Sequence, residues 1–156
     1  MIYIEIPDPS PIEAALLERA ANQTLQYNRS NDLSDALHHR RYELTIILTD
    51  DAQLQQLNRE YLGIDAPTDV LSFPAGHTDP DSDIPYLGDV LISLPRAQAQ
   101  AAAGGHPLAD ELQLLVVHGV LHLLGHDHAE AAEKQAMQTA QDAILTQLGC
   151  KATPTL

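Results

Sequence analysis

The run Leu114-Leu115-Val116-Val117 leads straight into His118, and the segment between His118 and His122 is equally apolar. A helix that is greasy on every side has to be buried, so any fold of this chain must wrap its other elements around this one. Buried imidazoles in turn need hydrogen-bond partners or a metal. His118 and His122 are four residues apart, which sends both rings from one helical face, one turn above the other. Gly125 offers a helix stop, after which the chain can fold back and aim a third imidazole at the same point. The stretch 118–128 holds four of the eight histidines: His118, His122, His126 and His128.

A chain of 156 residues with 44% hydrophobic content suits one compact domain with a real core. We expect that domain over residues 1–149, with 150–156 as a flexible tail. No apolar run approaches the roughly 18 residues a membrane span requires. Met1 to Pro7 lacks a basic region followed by an apolar stretch, so no signal peptide is expected. The single cysteine, Cys150, has no internal disulfide partner, and a cytoplasmic location is the default expectation. A net charge of −14 opposes polyanion binding, because nucleic-acid affinity comes largely from lysine and arginine. Of the eight basic residues, Arg19, Arg29, Arg40, Arg41 and Arg59 fall in the first sixty positions, an asymmetry that permits a local basic face.

Ile2, Ile4 and Ile6 alternate with Tyr3 and Glu5, the period of a strand. Ser10-Pro11-Ile12-Glu13 reads as a helix start, and that helix is expected to run to about Tyr27. Residues 28–40 are polar and poorly patterned. A second strand is expected over Tyr42–Thr49, then a helix from about Ala52 to Tyr61 behind the cap Asp50-Asp51. After the turn-rich segment 62–67 come a short strand at Val70–Phe73, a loop over 75–85, and a strand at Leu87–Ser93. Ser93-Leu94-Pro95 opens an alanine-rich helix that ends at Gly104-Gly105. Pro107 precedes the buried helix, and Ala129–Leu148 form a last amphipathic helix closed by Gly149. The fold class expected is α/β: one small mixed sheet packed with helices, and a buried central helix carrying the histidines.

His118, His122 and His128 stand at relative positions zero, four and ten, with Gly125 at seven. This is the ligand ladder of the metzincin zinc enzymes. Three neutral imidazoles bind zinc and leave a fourth position for water, the mark of a catalytic rather than a structural site. His126 is an alternative to His128, or a surface or pocket-wall residue. Asp127 either orients a ligating imidazole or caps the final helix. Metzincins carry a glutamate base directly after the first histidine; here that position is Gly119, which cannot move protons, and peptide hydrolysis loses its main warrant.

With these residues in view, the chain resembles the YbeY family of endoribonucleases, also called rRNA maturation factors. His118 to His128 reproduce the family pattern H-G-x-L-H-L-x-G-Y-D-H with one change, His126 at the usual tyrosine. Further matches are Leu57-Asn58, Tyr61, Asp65, Thr68-Asp69-Val70-Leu71-Ser72-Phe73-Pro74, and Leu87-Gly88-Asp89-Val90 to Ser93. The resemblance implies one Zn2+ on His118, His122 and His128, with His118 central to catalysis. It also implies single-strand RNA cleavage, trimming of the three-prime end of small-subunit rRNA, and ribosome quality control. RNA presented on the ribosome or by a partner protein is the expected substrate, with neither DNA nor membrane involved. The family carries an arginine just after the tyrosine matched by Tyr61; here that residue is Leu62, and Arg59 lies on a different helical face. Ser72 and the Thr68-Asp69 loop are expected to line a groove beside the metal. Two rival readings are a metal-dependent hydrolase of a peptide or small molecule, and a non-catalytic ribosome-assembly factor with structural zinc.

Overall fold

The structure, a computed structural model, describes residues 1–31, 42–75, 84–127 and 129–152. In chain order its elements are β1 (Ile2–Glu5), α1 (Ala14–Asn31), β2 (Glu43–Thr49), α2 (Asp51–Leu62), β3 (Val70–Pro74), β4 (Tyr86–Ser93), α3 (Leu94–Gly104), α4 (Leu108–Leu123) and α5 (Ala131–Leu148). The four strands form one mixed sheet in the order β1-β2-β4-β3. β1, β2 and β4 are parallel, and β3 is an antiparallel edge strand paired to β4. The expected α/β class with a single mixed sheet is what forms.

The sheet has two unlike faces because side chains alternate along each strand. Leu44, Ile46 and Leu48 of β2 and Val90 and Ile92 of β4 point into the main core, beside α1, α4 and α5. The opposite face gives a smaller cluster in which Leu71 and Leu91 meet Leu54 of α2, with Ile47, Leu57 and Phe73 packed around them. α4 is the hub: it packs against α1, α3, α5, β3 and β4. Val116, Val117, Val120 and Leu121 are fully buried on it, so the all-round apolar run does mark the central helix.

Several boundaries follow from caps. Asp50 accepts a hydrogen bond from the Gln53 amide at 2.8 Å, and Gly63 closes α2 at φ 72°. Ser93 caps α3 through the Arg96 amide at 3.3 Å and also donates to Asp51, which Arg96 grips with two bonds of 2.9 and 2.7 Å. The first helix departs from the expected start. The Ser10 hydroxyl closes a local turn on Ile12, and α1 begins only at Ala14, then continues to Asn31 rather than stopping near Tyr27. The last helix begins at Ala131, two residues later than expected, with Glu130 at the cap position. The segment expected to be a flexible tail is anchored over its first three residues. The Cys150 amide donates to Leu145, the Lys151 amide donates to Asp110 at 2.9 Å, and Ala152 is buried. Residues 153–156, residues 76–83 of the expected loop and the basic pair Arg40-Arg41 lie outside the described residues.

One contact fixes the spacing between α4 and the sheet. A Cβ placed on Gly119 would stand 2.5 Å from Val90 Cγ1 and 3.3 Å from Ser72 Oγ. The helix backbone therefore lies directly on β3 and β4, and the Ser72 hydroxyl donates to the Gly119 carbonyl at 2.9 Å. Overpacking such a contact costs about 1–3 kcal/mol, so Gly119→Ala should lower the melting temperature by about 2–12 °C, readable by calorimetry. An unchanged melting temperature would show that the helix can lift off the sheet freely. Burial, with the nearby Asp110 charge, also pushes the Cys150 thiol up to about 11. Its thiolate is scarce at neutral pH, and iodoacetamide at pH 8 should alkylate Cys150 about 100-fold more slowly than an unhindered thiol of pKa 9.

Candidate metal centre

The C-terminal half of α4 delivers His118 and His122 to the edge of the sheet beside β3. Their Nε2 atoms are 3.1 Å apart, and the rings meet edge to face with centroids 4.7 Å apart. Nitrogens ~2.0–2.1 Å from one tetrahedral metal are separated by about 3.3 Å, so the two imidazoles are spaced as ligands of one ion would be. The other side of His118 is also specified. Its Nδ1 lies 2.9 Å from Gln141 Oε1, and a proton donated there leaves the Nε2 lone pair facing His122. Gln141 is 1% exposed and sits on α5 among Met137, Ala140 and Ile144, all buried.

Gly125 ends the helix as its position promised. At φ 99° its amide donates to the His122 carbonyl, and the His126 amide donates to Leu121, closing the last turn. The chain then doubles back past the histidines, and His126 and Asp127 line the same cavity. His128, the expected third ligand, lies outside the described residues. Among the described residues no group of three or more His, Cys, Asp or Glu side chains is gathered at metal-binding range. Burial lowers the pKa of His126, so that imidazole is held neutral near pH 7 and adds no positive charge to the cavity. The cap position of α5 is held by Glu130, whose side chain makes no cap bond, and Asp127 stands in the cavity wall.

The cavity has a volume of about 570 Å3 and is open to solvent. Facing the histidines are Thr68, Asp69 and Ser72, the residues expected to line a groove there. Their loop is built rather than loose. The Asp69 carbonyl accepts from the Ser93 amide at 2.9 Å, its carboxylate accepts from Gln100 at 3.3 Å, and the buried Asn58 side chain donates to Ala66 at 3.0 Å. Leu62 reaches the rim with 57% of its surface exposed, and Arg59 does not line the cavity. Among the described lining residues there is no lysine or arginine, while two carboxylates, Asp69 and Asp127, are present.

Gln141 is the site residue that sequence reasoning passed over. Its signal was available: a long polar side chain on the apolar face of an amphipathic helix needs a buried partner.

Comparison with known proteins shows the family to which the chain belongs. A family model described as "Endoribonuclease YbeY" matches residues 8–149. A relative from Roseiflexus castenholzii bearing that name is 46% identical over 143 residues, 88% of this chain and 85% of its own. Another, from Roseiflexus sp. strain RS-1, is 44% identical over 156 residues, 95% of this chain and 91% of its own. The solution structure of TM1509 from Thermotoga maritima superposes with a TM-score of 0.57 at 26% identity, covering 95% of this chain and 89% of that one. The chain belongs to the YbeY endoribonuclease family.

Proposed function

We propose that this chain is a metal-dependent endoribonuclease of rRNA maturation, with one zinc ion held by His118, His122 and His128. Membership of the family makes it an endoribonuclease, a hydrolase of RNA phosphodiester bonds. The observation carrying the metal reading is the convergence of His118 and His122 Nε2 at 3.1 Å in an open cavity. His128 follows the helix stop at the ladder's third position and would complete the set.

Such an ion supplies Lewis-acid polarisation and a bound water of lowered pKa. The residues around it do the positioning. Gln141 holds the His118 ring and its tautomer. Thr68 and Ser72 carry hydroxyls into the cavity wall; each donates its proton to a backbone carbonyl, Val70 and Gly119, which leaves the oxygens able to accept from a ribose 2′-hydroxyl. Gly119 leaves no general base after the first histidine, and the close packing there leaves no room for one. Peptide hydrolysis of the metzincin kind is disfavoured on both counts.

The acidic body shapes the substrate requirement. A protein with net charge −14 and no cationic residue among the described lining binds free RNA weakly. We read this as substrate delivered by the ribosome or a partner protein, in the cytoplasm. No helix among the described residues is long and apolar enough to cross a membrane.

Purified protein should carry about one equivalent of zinc and cleave single-stranded rRNA slowly, with rates falling as salt rises. His118→Ala should stay folded by circular dichroism while losing cleavage. Equal cleavage by both proteins would sink the catalytic assignment, and a variant that unfolds would favour a structural zinc. Gln141→Leu removes the orienting acceptor and should weaken zinc binding about 10–100-fold in a chelator competition.

A further inference from the structure

A second cavity lies on the other face of the edge strand from the histidines. It has a volume of about 310 Å3 and is walled by Ile47, Leu57, Tyr61, Phe73, Asp89 and Leu91. That size is at the small end of the roughly 300–1,000 Å3 typical of ligand sites, enough for one planar group. The two cavities are joined by consecutive residues. Leu62 and Pro74 line the histidine cavity, and Tyr61 and Phe73, their immediate neighbours in sequence, line this one.

Its chemistry is aromatic and apolar with a single anionic group. Tyr61 is 68% exposed and meets Phe73 edge to face, centroids 5.4 Å apart, so ring surface is left uncovered by the partner. Asp89 is the register partner of Phe73 across β3 and β4. Its Oδ1 accepts from the Tyr86 hydroxyl, which is 2.6 Å from Thr45 Oγ1. Burial, followed by the Asp89 hydrogen bond, pushes the Tyr86 phenol up to about 12, so it remains a donor that fixes the carboxylate. Among the described residues Asp89 Oδ2 has no protein donor. A lone carboxylate repels phosphate but accepts from the donor edge of a base, and single-strand readers pair such contacts with stacking on aromatic rings.

We propose that this cavity is a nucleobase subsite that takes one unpaired guanine of the RNA, stacked on the exposed Tyr61 ring, packed at its edge against Phe73 and read by Asp89. Guanine presents two adjacent donors, N1–H and the N2 amine, to the two carboxylate oxygens. Adenine and cytosine place a ring acceptor beside their amine, and uracil flanks its single N–H with carbonyls. The inference rests on the endoribonuclease reading for its ligand class, so its test does not depend on cleavage.

Phe73 is the only phenylalanine of the chain, which makes its ring resonances a unique probe. Titrating the intact protein with GMP, AMP, CMP and UMP should shift the Phe73 signals with GMP at a Kd at least about 10-fold lower than with UMP. Asp89→Asn keeps an acceptor for Tyr86 and should erase that preference. Tyr61→Ala, at an exposed position, should weaken GMP about 5- to 100-fold. Equal responses to all four nucleotides, a silent Phe73, or a guanine preference that survives Asp89→Asn would each overturn the proposal. Cleavage-site mapping on rRNA then asks separately whether a guanine sits at a fixed offset from the cut. A protein that binds GMP at Phe73 but cleaves no RNA would refute the nuclease assignment and leave the subsite standing.

Discussion

The close approach of α4 to the sheet at Gly119 is the contact on which the remaining geometry depends. A helix usually packs on a sheet through interleaved side chains, which hold its backbone away. At Gly119 no side chain intervenes, and Val90 and Ser72 touch the helix backbone directly. This draws the last two turns of α4 down to the level of β3, so that His118 and His122 emerge at the sheet edge instead of deep in the core. The same contact accounts for the missing glutamate. A side chain at that position would push the helix off the sheet, so the packing that positions the imidazoles also bars a base next to the first of them. Packing and chemistry are set by one residue.

Electrostatics then divides the labour between the chain and its surroundings. Arg96 is held by Asp51, and Arg19 donates to the Leu148 carbonyl at the end of α5. Their charges serve the fold, at surface positions where ion pairs contribute little to stability. The polar groups of the described cavity walls are carboxylates, hydroxyls and imidazoles, with no lysine or arginine among them. Under the proposed function, positive charge for a phosphodiester would come from the proposed metal ion or from whatever presents the RNA. Leu62, at the position where the resemblance implies an arginine, sharpens that dependence by placing an apolar side chain on the rim.

The fold was legible where local chemistry decides it. The period-two isoleucines of β1, the Asp50 cap and the apolar run of α4 each specify their element without help from distant residues. The approach of His118 to His122 and the stop at Gly125 were equally readable, since i, i+4 spacing and a glycine stop are local geometry. What the sequence hid was tertiary. Ser10 has the appearance of a cap, yet its hydroxyl closes a turn on Ile12 and the helix waits for Ala14. The C-terminal residues look frayed because their partners, Asp110 and Leu145, are set by how α5 returns against α4. Gln141 is twenty-three residues from the His118 ring it orients, a distance that no motif spans.

β3 shows how much a short strand can organise. Successive side chains leave opposite faces, so Ser72 reaches α4 and the histidines while Phe73 turns toward α2 and Asp89. As an edge strand, β3 has no strand on its outer side among the described residues to separate the two faces. An RNA strand rounding that edge could keep its backbone at the imidazoles and drop a base against Phe73, without any insertion or second domain. The run Leu71-Ser72-Phe73-Pro74 is then the partition between chemistry and reading: Ser72 belongs to one cavity, Phe73 to the other, and Pro74 closes the strand at the rim of the first. A substitution that slipped the register of β3 by one residue would exchange the two roles at once. The constraint on this stretch is therefore its alternation as much as its composition.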